Sequence, residues 1–124
     1  MPIRLWAAAA ACLVLVSGPA VARGPMEPVL FGGSMDQPAC AFSGKLVTQG
    51  DGKPVVVRDG PSMDFGSYGE LQTGAIVHVC DEEQGWYGIV YGDEDCGVSS
   101  PIYERRPYDG PCHSGWLSRD AVRR

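Results

Sequence analysis

Five cysteines and two histidines are the residues of this 124-residue chain from which a nucleophile or a soft metal site could be built. Cys40, Cys80, Cys96 and Cys112 contain no C-x2-C pair, so the ligand spacing of a tetrahedral zinc site is missing. If these cysteines are oxidised, His78 and His113 have no thiol to activate, and Ser99, Ser100, Ser114 and Ser118 stand outside any G-x-S-x-G elbow. An enzyme is therefore not expected, and no cofactor is implied. His78 reads as an outward strand residue and His113 as a solvated loop residue. The acidic runs Asp81-Glu82-Glu83 and Asp93-Glu94-Asp95 lack the D-x-D-x-D-G spacing that converges oxygens on a hard cation, and read as solvated turn charge. What remains is recognition. Aromatic side chains in loops can line a groove for an extended peptide. Trp116 and Tyr91 are assigned to the core. Tyr68, Trp86, Tyr103 and Tyr108 are candidate ligand contacts. Arg58 joins them as a partner for a ligand carboxylate, with an exposed ion pair to Asp59, Asp64 or Glu70, worth about 0–1 kcal/mol, as its other reading. Arg105-Arg106-Pro107 reads as a solvated loop tip.

The compartment that would oxidise the cysteines is written at the N-terminus. Arg4 precedes an apolar run from Leu5 to Val16, followed by Ser17-Gly18-Pro19 and then Ala20-Val21-Ala22, the pattern of a secretory signal peptide cleaved after residue 22. The run falls short of the ~20 apolar residues that cross a bilayer, so no membrane span is expected after cleavage. The expected location is the periplasm or the medium. Cleavage removes Cys12 and leaves four cysteines, which in a small exported chain read as two disulfides with three possible connectivities. The expected pairing is Cys96 with Cys112, closing a Pro- and Gly-rich excursion, and Cys40 with Cys80, tying the N-terminal segment to a central strand. The chain-entropy argument assigns them about 3 and 4 kcal/mol. The chain carries 15 Asp and Glu against 10 Lys and Arg, a net charge of −5, which opposes nucleic-acid binding.

Elements that could position these residues are short. Seventeen Gly and 10 Pro favour turns over long helices, and no stripe at helical spacing appears outside the leader. Strand patterns lie at Lys45–Thr48, Pro54–Arg58, Ala75–Cys80, Trp86–Tyr91 and Gly115–Ser118, separated by the turn residues Gly50-Asp51-Gly52 and Asp81–Gly85. Alternation sets Val77 and Val79 toward the core, with Ile76, His78 and Cys80 opposite; Tyr87 and Ile89 fit the core and leave Trp86 nearer the surface. Residues 23–54 read as an N-terminal strap and first strand, and residues 55–124 as the main domain of a monomer.

Within that domain the segment Val55-Val56-Val57-Arg58-Asp59-Gly60-Pro61-Ser62 resembles the opening motif of bacterial SH3-like (SH3b) domains. Leu71-Gln72-Thr73-Gly74, the pair Val77 and Val79, Gly85-Trp86-Tyr87-Gly88-Ile89 and Gly115-Trp116-Leu117-Ser118 resemble its later landmarks, in order. The resemblance spans Val55 to Val122. It implies an all-β fold, a small SH3-like barrel of five to six short strands, and binding of a peptide or cell-wall (peptidoglycan) element. The chain departs from the family in the insertion 92–114, bracketed by Cys96 and Cys112, which could cover or build a binding face. The alternative is a protein-interaction or inhibitor module that docks this loop on another exported protein.

Overall fold

The computed structural model describes residues 24–47 and 52–124. The expected signal peptide, Thr48 and the Gly50-Asp51 part of the first turn lie outside the described residues. Among those described are nine strands: β1 (Leu30–Phe31), β2 (Phe42–Leu46), β3 (Val55–Arg58), β4 (Ser67–Leu71), β5 (Ile76–Glu83), β6 (Trp86–Tyr91), β7 (Arg106–Pro107), β8 (His113–Ser118) and β9 (Val122–Arg123). A 3-10 turn at Arg119–Ala121 joins the last two. Strands β1 and β7 form a two-stranded sheet, and the others form a second in the order β4-β3-β8-β6-β5-β2-β9, with every pairing antiparallel.

The chain is all-β, as the strand patterns and the resemblance imply. The expected barrel of five to six strands is replaced by nine strands in two antiparallel sheets, and the larger sheet has two ends, β4 and β9, instead of closing. The additional strands have a physical origin. Two-residue β1 and β7 are too short to show alternation and exist because the strap and the insertion pair with each other. Strand β4, Ser-Tyr-Gly-Glu-Leu, carries little of the β-branched pattern and is held by its partner β3.

The β5–β6 hairpin follows the expected alternation closely. Val77 and Val79 are buried, and Ile76 is 56% exposed. The turn is shorter than the acidic run Asp81–Gly85 suggests, because pairing continues through Glu82 with Tyr87 and Glu83 with Trp86. Only Gln84 and Gly85 remain, both at positive φ (50° and 84°), as a tight two-residue hairpin turn requires.

Successive strand residues point to opposite faces. Yet Ile89 and Val90, and likewise Trp116 and Leu117, are all fully buried, so both faces of the sheet centre are covered. One core holds Leu46, Val57, Val77, Val79, Ile89, Leu117 and Ala121. The other holds Val29, Phe31, Cys40, Cys80, Val90, Cys96, Val98 and Trp116, and its cover is the strap together with the insertion. These two segments are laced by backbone hydrogen bonds: Gly33 N to Ile102 O (2.8 Å), Ala39 N to Ser100 O (3.0 Å), Cys40 N to Val98 O (3.1 Å) and Tyr108 N to Val29 O (2.8 Å). The Trp116 indole donates to the Glu27 carbonyl (2.8 Å) and fastens the strap from below. Disulfides Cys40–Cys80 and Cys96–Cys112 form as expected, one anchoring the strap to β5 and the other closing the insertion. They suggest an oxidising, extracellular compartment.

Asp81 departs from its reading as solvated turn charge. Its Oδ2 accepts from the Leu30 N–H (3.1 Å), and its Oδ1 accepts from the Arg105 guanidinium (2.9 Å) and the Glu82 N–H (2.9 Å). One carboxylate thus joins β5, the strap and the insertion. The loop-tip reading of Arg105 and Arg106 gives way as well, since Arg106 lies 5.5 Å over the Phe31 ring.

Candidate functional site

Strand β3 sets one wall of a concavity of about 440 Å³ through Val55, Val56 and Arg58. Val57, buried between them in sequence, belongs to the core, so the outward parity of β3 presents Val56 and Arg58. Beyond Arg58 the chain folds into a compact loop. The Asp59 N–H donates to the Gly66 carbonyl (3.1 Å), and the Asp64 N–H donates to the Ser62 hydroxyl (3.0 Å). Gly60 permits this closure, because a Cβ there would run into the Phe65 ring. The Arg58 Nη1 donates to the Phe65 carbonyl (2.9 Å), so a backbone oxygen takes the place expected for Asp59, Asp64 or Glu70. Met63, 71% exposed, overhangs the cleft from this loop.

Trp86 forms the opposing wall, with Ser118 and Ala121 from the end of β8 and the following turn, while Lys53 and Pro54 complete the rim. The Trp86 position is fixed by its register against Glu83 and Ser118. Its ring is half-buried, packed on the second core, and its remaining surface is free for contact. The lining therefore combines apolar surface from Val55, Val56, Met63 and Trp86 with the cations of Arg58 and Lys53. Such a cleft suits a ligand with an apolar stem and a carboxylate.

Of the five candidate contacts, Arg58 and Trp86 meet in this cleft. Tyr68 is half-buried against the first core, and Tyr103 stands 78% exposed on the insertion. Tyr108 packs edge-on against Phe31 at 5.2 Å, donates its hydroxyl proton to the Cys96 carbonyl (2.8 Å) and accepts from the Cys112 N–H (3.1 Å). Burial pushes its phenol above the ordinary range; the Cys112 N–H pulls the other way, and Asp109, Glu94 and Asp95 add to the upward push. It serves the insertion. Val56, on the outward parity of β3, and Met63, in the loop that follows, were not among the candidate contacts.

The four described cysteines are all half-cystines. His78 Nδ1 shares a hydrogen bond with the Ser43 hydroxyl (2.9 Å), and the His113 ring lies 5.6 Å from that of Tyr91. Among the described residues no three His, Cys, Asp or Glu side chains converge as a metal ion would need. Near the hairpin turn, Glu27 of the strap meets Glu83, and the hydrogen bond from Glu83, then burial, then the charges of Glu83 and Asp81 hold the Glu27 carboxyl above its usual range. No family model, curated protein sequence or solved structure matches the chain.

Proposed function

We propose that the chain is an exported, non-catalytic SH3b-like binding module, and that the cleft between Arg58 and Trp86 receives a peptide or cell-wall element. The observation that carries this reading is the meeting of Arg58 and Trp86, which come from two separate motifs of the resemblance, on one cleft of about 440 Å³. The sheet order supports it, since the strands bearing the motifs, β3, β8, β6 and β5, are consecutive neighbours. The size also fits: pockets for small ligands run from about 300 to 1,000 Å³. An apolar wall would take the aliphatic part of a stem peptide, while Arg58 would take a carboxylate through charge-assisted hydrogen bonds. Two disulfides would keep so small a domain folded in the periplasm or the medium.

Sedimentation with purified peptidoglycan tests the reading. Retention above that of an unrelated acidic protein is expected, and Trp86→Ala and Arg58→Ala should each reduce it. Equal retention of the wild type and the unrelated protein would overturn the cell-wall assignment.

A further inference from the structure

The strap and insertion cover one face of the large sheet over Val90 and Trp116 and leave the same face bare toward β2 and β9. The bare part is a groove of about 430 Å³ lined by Ser43, Gly44, Lys45, Val47, Ile76 and the C-terminal Arg123 and Arg124. Lys45 lies directly opposite Ile76 on one side and Arg123 on the other, so two cations face each other across adjacent strands. Gly44 lets the last strand come this close, as a Cβ there would stand 3.0 Å from the Arg123 carbonyl. Arg124 also lines the groove, while its guanidinium lies 4.1 Å over the ring of Phe42, which faces the first core. Among the described residues no Asp or Glu side chain lines the groove.

Like charges placed directly opposite in a sheet are destabilising. Among the described residues Arg105 pairs with Asp81 and Arg119 with Glu82, yet no Asp or Glu side chain is set against Lys45 or Arg123. An anion from outside would remove the repulsion. Ile76, 56% exposed in the same cross-strand row, adds an apolar contact that a free inorganic ion would not use. Anionic bilayers attract clusters of roughly 4–8 Lys and Arg. Three cations on a chain of net charge −5 fall short of that.

We infer that the β2–β5–β9 groove docks an extended acidic segment of a partner protein, with its carboxylates on Lys45 and Arg123 and an apolar side chain on Ile76. This surface is separate from the Arg58–Trp86 cleft and does not depend on the reading given to that cleft.

Fluorescence anisotropy with a fluorescein-labelled peptide of alternating glutamate and leucine tests it, alongside phosphatidylglycerol vesicles. Saturable peptide binding that weakens with added salt is expected, with the double variant Lys45→Glu/Arg123→Glu about tenfold weaker and Trp86→Ala unchanged. Lys45→Glu alone turns the like-charged pair into an opposite-charged one. It should raise the melting temperature while weakening the peptide, a combination that damage to the fold cannot produce. Absence of peptide binding, equal binding by the double variant, or binding to vesicles alone would each overturn the inference.

Discussion

Tyr108 illustrates how one side chain can look like a ligand contact and act as a structural clasp. Its hydroxyl joins Cys96 and Cys112, the two ends of the disulfide-closed loop. Tyr108→Phe leaves the Cys112 N–H without this acceptor and should cost about 1–3 kcal/mol of stability in urea unfolding, with binding at the Arg58–Trp86 cleft unchanged. Glu27 offers a test of a different kind. Its carboxyl binds a proton more tightly in the folded chain than in the unfolded one, because Glu83 hydrogen-bonds it and Asp81 and Glu83 repel its charge. The resulting penalty is full at neutral pH and is relieved as pH falls through the raised folded value toward the ordinary glutamate range. Glu27→Gln should therefore raise the neutral-pH melting temperature slightly and flatten its rise on mild acidification. An unaltered pH profile in the variant would refute the Glu27–Glu83 coupling.

Among the elements, β6 is the junction between the two cores, and Gly88 is its closest point of approach. A Cβ at residue 88 would stand 2.7 Å from the Asp81 Cβ, 3.0 Å from a Val29 methyl and 3.3 Å from the Trp116 ring. Gly88→Ala should cost about 1–3 kcal/mol by overpacking, and exchange protection of the Tyr108 and Gly33 amides should fall first because the strap is what must move. The β5–β6 hairpin was legible in the sequence since Val77, Val79 and Ile89 alternate and turn residues lie within Asp81–Gly85, although pairing through Glu83 narrows the turn to Gln84 and Gly85. Strands β4, β7 and β9 were not, because two-residue strands have no period and Ser67–Leu71 gains its conformation from β3. The cysteine pairing could be anticipated because one bridge closes a Pro- and Gly-rich excursion and the other ties the N-terminal segment to a central strand. The role of Asp81 could not, since its partners Leu30 and Arg105 are distant in sequence. Two residues of the candidate cleft were readable as contacts because Arg58 and Trp86 sit in motifs, whereas Met63 reaches the cleft only through the fold of its loop.

At the scale of the whole molecule, the centre of the larger sheet is covered on both sides. The main domain supplies one core; the strap and insertion supply the other, sharing β5, β6 and β8 with the first. Because Ile89 and Val90 or Trp116 and Leu117 link the two cores through one backbone, the chain should unfold in one cooperative step. Coincident urea transitions by Trp116 emission and far-ultraviolet circular dichroism would bear this out; an earlier loss of the emission signal would mean that the strap layer detaches by itself. The additions thus stabilise the sheet and leave the Arg58–Trp86 cleft open on the main domain.

That division of labour makes the cleft the centre of the account, and its indole reports on it directly. In protein made without residues 1–22, Trp86 and Trp116 are the two tryptophans, and Trp116 is fully buried. Titration with soluble muropeptides, read by tryptophan emission, should give a saturable blue shift that Arg58→Ala weakens and Trp86→Phe abolishes. Emission that stays flat to the highest muropeptide concentration, or a shift that persists in Trp86→Phe, would contradict it.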